Sequence, residues 1–185
     1  MKFEALEIPD VKLLYPQKFG DERGFFSETY SQSTFSDAGI DQVFVQDNHS
    51  LSRSVGVLRG LHYQCAPYAQ DKLVRVVRGR ILDVAVDIRK SSPTFGKWVS
   101  AEISAEEWNQ IFIPKGFAHG FLTIEPDTEV HYKVSAPYAP DAEKSIMWND
   151  PDLDIQWPVT ETAVTLSQKD QHAIRFDEYR DNPDF

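Results

Sequence analysis

The chain has 185 residues, 41% of them hydrophobic, and a formal net charge of −10. That length suits one domain over residues 1–185 with a sizeable core, and the hydrophobic share excludes a disordered chain. The negative balance argues against a nucleic acid as partner, the single cysteine, Cys65, excludes an internal disulfide, and no run approaches the ~20 apolar residues of a membrane span.

Strand signals dominate in chain order: short runs rich in β-branched and aromatic residues, divided by Gly, Pro, Asp and Ser. Residues 12–15, 25–30 and 43–49 come first, with a short helix expected near 33–38. Strands follow at 57–63, 73–77 and 81–88, the last two joined through an Arg78-Gly79-Arg80 hairpin turn. Further strands are expected at 98–103, 110–113, 119–123 and 129–134. A final short helix runs from Ser167 toward Ala173, with Ser167 as its N-cap. The fold class is all-β, a sandwich or jelly roll closing into a barrel, with a few short helices. Glu4 and Glu7 stand where a secretory signal would need apolar residues, so the cytoplasm is the expected compartment.

Side chains alternate between the two faces of a strand, which sorts the polar residues. Tyr132 shares a face with Val130 and Val134 and is expected inside, whereas His131 faces out. Lys72 shares a face with Val74 and Val76. An inward lysine is costly to desolvate unless it meets an anion or a polar network, so stability alone gives little reason for it.

Two segments carry the chemistry: Arg59-Gly60-Leu61-His62-Tyr63-Gln64 and Pro114-Lys115-Gly116-Phe117-Ala118-His119-Gly120. The second is similar to the P-x-G-x-x-H turn of cupin barrels, which sends a histidine into the barrel interior. Metal-binding cupins pair it with H-x-H and a following Glu, but here His62 and Gln64 stand in that place, with Tyr68 and Ala69 where the acid would fall. A divalent metal needs three or four such ligands, so no metal is expected and a histidine is left for acid–base work. Arg59 and His62 fall on opposite faces of a regular strand. Either a bulge at Gly60 re-aims one of them, or Arg59 reaches over the barrel rim.

From Ile8-Pro9-Asp10 to Ser167-Gln168-Lys169-Asp170 the chain resembles the dTDP-4-dehydrorhamnose 3,5-epimerases, metal-free cupin enzymes of nucleotide-sugar synthesis. The landmarks are Gly20-Asp21-Glu22-Arg23-Gly24-Phe25-Phe26, Gln46-Asp47-Asn48-His49-Ser50, Gln70-Asp71-Lys72-Leu73-Val74-Arg75-Val76, Trp148-Asn149-Asp150-Pro151 and the two segments above. The resemblance implies a cupin-type jelly-roll β-barrel and epimerisation at C3 and C5 of a dTDP-4-keto-6-deoxyhexose, with no cofactor. It implies His62 as base, Asp170 as its orienting carboxylate, Tyr132 as proton donor and Lys72 near the sugar ketone. It further places Arg23, Glu28, Gln46, Asn48, Arg59, His119, Glu143 and Lys169 on the nucleotide sugar and makes Phe26 and Tyr138 stacking partners for thymine. A homodimer whose N-terminal segments cross between subunits is implied too. Asp71, where family members often have Gly, is a departure that would retune Lys72.

The reaction suits these residues. Hydrogens on C3 and C5 flank the C4 ketone, so removing either leaves an enolate with its charge on the C4 oxygen. Histidine supplies a base near neutral pH, and a cationic donor steadies the enolate. Three choices stay open. Asp83, on the 81–88 strand, competes with Asp170 as partner of His62; His119 either binds substrate or only pins the Pro114–Gly116 turn; and His49 is non-catalytic, at most behind the site. Competing functions are an epimerase acting at one carbon, a non-catalytic nucleotide-sugar binding module, and a metal-dependent cupin oxygenase, the last disfavoured by the missing ligands.

Overall fold

The computed structural model describes residues 1–160 and 162–185. Among these, strands run in the order β1 (Lys2–Ala5), β2 (Lys12–Tyr15), β3 (Phe19–Asp21), β4 (Gly24–Phe26), β5 (Gln46–Ser52), β6 (Leu58–Gln64), β7 (Lys72–Arg78), β8 (Arg80–Asp87), β9 (Trp98–Ser104), β10 (Gln110–Ile113), β11 (Phe117–Thr123), β12 (Thr128–Val134) and β13 (Glu143–Ser145). Helices α1 (Gln32–Asp37), α2 (Gln168–Gln171) and α3 (Phe176–Asp181) are short.

Two sheets face each other. One has the order β1-β2-β10-β7-β12-β5 and the other β13-β6-β11-β8-β9. This is the expected all-β jelly roll, except that the two sheets remain open rather than joining into a closed barrel. Their inner faces interdigitate through Leu13, Val74, Val76, Ile111 and Val130 on one side and Ile81, Ala85, Val99, Ile103 and Phe121 on the other, the buried stripe that alternation demands. The outer face of the second sheet is covered by the C-terminal part of the chain, where Leu61, Tyr63, Val84 and Val86 meet Ile155, Phe176 and Tyr179. On the first sheet α1 seals Leu14, Leu73 and Phe112 beneath Phe35 and Ile40.

Three expectations are corrected. The strand expected at 25–30 is only the end of a small exposed hairpin, β3 with β4. Beyond it, the Ser27 hydroxyl accepts from Trp108 Nε1 at 2.9 Å and the Thr29 carbonyl accepts from Gln110 Nε2 at 2.8 Å. The Gln110 side chain thus occupies a backbone carbonyl that a longer strand would have paired in a ladder. The strand expected at 43–49 starts later, at Gln46, and continues to Ser52 as it pairs with β12. Asp71 does not bond Lys72: its carboxylate accepts from the Ser135 hydroxyl at 2.7 Å and the Lys115 amide at 3.1 Å, tying down two loops.

The pairing of β6 with β11 decides the Arg59–His62 question. His119 lies opposite His62 and Phe121 opposite Arg59, so three steps on β6 match two on β11. The extra residue is a β-bulge, which shifts the parity of the strand. Leu61 and Tyr63 thereby stay on the outer face, while Arg59 and His62 share the inner one. Gly60 has φ +133°, and a Cβ there would stand 2.4 Å from the Gly120 Cα. Only glycine fits.

Candidate active site

Where the two sheets splay, the apolar core gives way to a cavity of about 590 Å³. Its walls follow from strand alternation. Gln46, Asn48 and Ser50 line one side from β5, joined by Lys72 from β7 and Tyr132 from β12. Arg59, His62 and Gln64 from β6 and His119 from β11 line the other. Tyr138, Glu143, Lys169 and Asp170 close the rim. Thus His62 and Tyr132 approach the same space from opposite sheets.

His62 Nε2 lies 2.5 Å from Asp170 Oδ1, and the Asp170 side chain is only 2% exposed. Ser167 holds the carboxylate from behind: its hydroxyl donates to Asp170 Oδ2 at 2.8 Å while accepting from the Asp170 amide as the N-cap of α2. Asp170 therefore accepts a hydrogen bond from the Nε2–H of His62 and leaves Nδ1 as the atom available to a ligand. Burial drives the His62 imidazole below its usual value and outweighs the opposing pull of the Asp170 carboxylate, with Lys169 and Lys72 adding to the fall. Burial pushes Asp170 up, but the His62 hydrogen bond and charge prevail and hold it below the usual range.

Lys72 is buried and donates to the His62 carbonyl at 3.3 Å. Desolvation pushes its ammonium down to about 8 despite the nearby Glu143 and Asp83 carboxylates. Tyr132 is raised, first by burial, with Glu143 adding to the rise and Arg59 opposing it. At the rim, Glu143 accepts from Tyr138 Oη at 2.7 Å and pairs with Lys169 Nζ at 2.5 Å. The Tyr138 amide donates to Gln46, whose side chain bonds Asn48 at 2.8 Å.

For the three histidines left open, the structure gives the hydrogen-bond partners. Asp170, not Asp83, bonds His62; Asp83 instead accepts from His119 Nε2 at 2.8 Å. His119 thus points at β8 and not at the Pro114–Gly116 turn. His49 lies on the far side of β5, bonded to Glu129 at 2.9 Å and against the His131 ring.

Eleven of the fourteen expected site residues gather at the cavity. Arg23, Phe26 and Glu28 do not. All three are exposed; Arg23 is engaged by Asp21 within its own hairpin, and Phe26 is 69% exposed. Ser50 and Ser167 line the cavity without having been singled out as ligand contacts. Its i, i+2 spacing from Gln46 and Asn48 was the signal for Ser50. Among the described residues, no group of three or more His, Cys, Asp or Glu side chains is arranged to hold a metal ion. Nor is any helix long and apolar enough to cross a membrane.

A family model described as dTDP-4-dehydrorhamnose 3,5-epimerase matches residues 5–178. A dTDP-4-dehydrorhamnose 3,5-epimerase from Shigella flexneri is 54% identical over 171 residues, covering 92% of this chain and 93% of its own. The crystal structure of a dTDP-6-deoxy-D-glucose-3,5-epimerase from Legionella pneumophila, in complex with dTDP-4-keto-L-rhamnose, superposes with a TM-score of 0.90. It is 46% identical and covers 95% of this chain and 93% of that one. A 3'-monoepimerase from Streptomyces bikiniensis, crystallised with dTDP-quinovose, is 35% identical with a TM-score of 0.88, covering 96% and 89% of the two chains.

Proposed function

The chain belongs to the dTDP-4-dehydrorhamnose 3,5-epimerase family, and on that footing we propose how its residues divide the work. It is an isomerase that inverts C3 and C5 of dTDP-4-dehydro-6-deoxy-D-glucose to give dTDP-4-dehydro-L-rhamnose, a step of dTDP-L-rhamnose biosynthesis. His62 Nδ1 takes the proton next to the C4 ketone, while Asp170 fixes the tautomer and supports the imidazolium, the role carboxylates play beside catalytic histidines. Lys72 donates to the C4 oxygen as the enolate forms. Tyr132 returns a proton from the other face.

One observation carries this reading: His62 and Tyr132 belong to opposite sheets and reach one cavity. Inversion requires a proton to leave by one face of the sugar and return by the other, and a base and an acid on facing walls meet that need. A binding module would need neither.

Arg59 and Lys169 answer the diphosphate charge, Gln46, Asn48, His119 and Glu143 hold the sugar and nucleotide, and Tyr138 stacks on thymine. Arg23, Phe26 and Glu28, held away from the cavity by their own hairpin, complete the site of a second copy when the 19–28 segment crosses within a homodimer. The enzyme works in the cytoplasm. Mixing Arg23→Ala with His62→Asn chains tests the crossing: exchanged dimers regain one intact site, and an absence of regained activity refutes the exchange. The likeness to a monoepimerase favours, as a second reading, inversion at a single carbon. Incubation with dTDP-4-keto-6-deoxyglucose in D2O, read by NMR, separates the two. Deuterium at C3 and C5 is expected; label at one carbon supports the second reading, and label at neither refutes both.

A further inference from the structure

Asp83 is used by none of the steps above, yet it is an unusual residue for its place. It lies in the middle of β8 with Ile81 and Ala85 on the same inner face, and it is 0% exposed. Its Oδ2 accepts from His119 Nε2 at 2.8 Å, whereas Oδ1 is buried without a hydrogen-bond partner among the described residues. A buried carboxylate with an unmatched oxygen is costly. A wholly apolar pair of similar volume in place of Asp83 and His119 would serve packing at least as well, because replacing a buried ion pair as a whole is often neutral or stabilising. Stability therefore gives no reason for an acid here.

The surroundings do. His119 lies directly across from His62 in the β11–β6 register, and each cavity histidine has its own aspartate: Asp170 in the cavity lining and Asp83 buried behind His119. Lys72, from the facing sheet, feels Asp83 as an anion that favours its charged form. The other titratable groups lining the cavity are Arg59, His62 and Tyr63 on β6, His119 on β11, Tyr132 on β12, Tyr138, Glu143 on β13, and Lys169 and Asp170 on α2; both Asp170 oxygens are taken, by His62 and Ser167. Glu143 is likewise already bonded to Lys169 and Tyr138. That leaves Asp83 as the carboxylate with an uncommitted oxygen.

We propose that Asp83 is a positioning residue of the reaction, a carboxylate behind the cavity wall that holds the His119 ring through Nε2–H and sets the charge on the Lys72 side of the site. It would act through both and touch the sugar with neither oxygen. The cavity is then divided: a His62–Asp170 wall that removes protons, and a Lys72 side whose cation waits for the charge on the C4 oxygen. This rests on the proton-transfer reading given above.

Asp83→Asn separates charge from shape, since the amide oxygen still accepts from His119 while the anion is gone. With the anion removed, Lys72 loses an opposite charge that favours its charged form and gives up its proton at lower pH. The basic limb of the kcat/KM profile should move down by about one pH unit. At pH 8, kcat should drop about fivefold with KM within about twofold, an interaction made mainly in the transition state. Asp83→Leu, which also leaves the His119 Nε2–H without an acceptor, should lower the Tm and lose at least as much turnover. An unmoved basic limb with kcat within twofold in Asp83→Asn, or full activity in Asp83→Leu, overturns the proposal while leaving the proton-transfer reading intact. Absence of sugar C–H exchange in the unmodified enzyme would overturn both.

Discussion

Replacing Asp170 by Asn tests the His62 geometry most sharply. The substitution keeps the side-chain shape in a site where the carboxylate is almost fully enclosed. Two effects follow. The imidazolium formed on proton abstraction loses its anionic partner, and a hydrogen bond to a charged group contributes about 1.5–3 kcal/mol. At about 1.4 kcal/mol per decade, that alone is roughly a ten- to hundredfold loss in kcat. The second effect depends on Ser167, whose hydroxyl donates to Oδ2. An Asn amide turns its oxygen toward that donor and its NH2 toward Nε2, which drives the His62 proton onto Nδ1 and blocks the base. Because the Ser167 hydroxyl can be satisfied by water instead, this preference is worth only about 1 kcal/mol, a further factor of roughly five. Steady-state turnover and D2O exchange should both fall by about 50- to 500-fold, with KM little changed. Adding Ser167→Ala frees the amide to flip and should recover about the factor of five but not the rest. Turnover within fivefold of the parent in Asp170→Asn would show that the short contact does not serve the base.

Other consequences are open to measurement. The pH profile of kcat/KM should be bell-shaped: His62, lowered by burial, remains a free base to below pH 6.5 and loses activity as pH falls through its lowered value. Lys72 loses its proton as pH rises through about 8; a profile flat to pH 10 would remove it as the enolate's donor. Tyr132→Phe deletes one hydroxyl with little change in packing. It should keep deuterium exchange with retained configuration while inverted product falls by about 10² or more; near-normal inversion would pass the acid role to Tyr138 or water. Arg59→Ala should raise KM far more than it lowers kcat, since the diphosphate is unchanged during proton transfer. Collapse of kcat at constant KM would place Arg59 beside the reacting sugar.

Much of the site was legible because strands enforce parity. The inward places of Lys72 and Tyr132 follow from their Val neighbours, and both line the cavity as alternation requires. Parity is also where legibility stopped. A bulge at Gly60 and a rim-crossing Arg59 satisfy the same six letters, and only the pairing with β11 separates them. The 19–28 segment defeats sequence reading for a different reason: its aromatic pattern reads as a strand, yet Phe19, Phe25 and Phe26 are all more than half exposed within their own chain. β1, β13 and α3 were missed because each is three to six residues long, too short for a period to register. The partner of His62 lies 108 residues away in sequence; the resemblance pointed to it, and no local spacing does.

The crossing of Gly60 with Gly120 has a consequence for how such a protein can change over time. Most core contacts drift in pairs, one side chain growing as its neighbour shrinks. Here a Cβ on Gly60 meets the Gly120 Cα at 2.4 Å, and one on Gly120 meets the Arg59 carbonyl oxygen at 2.9 Å. Both residues are already the smallest available, so neither can yield room to the other, and no compensating exchange exists. The spot that aims Arg59 and His62 is therefore closed to gradual remodelling. New substrates would have to be accommodated by repainting the walls around a backbone crossing that stays where it is.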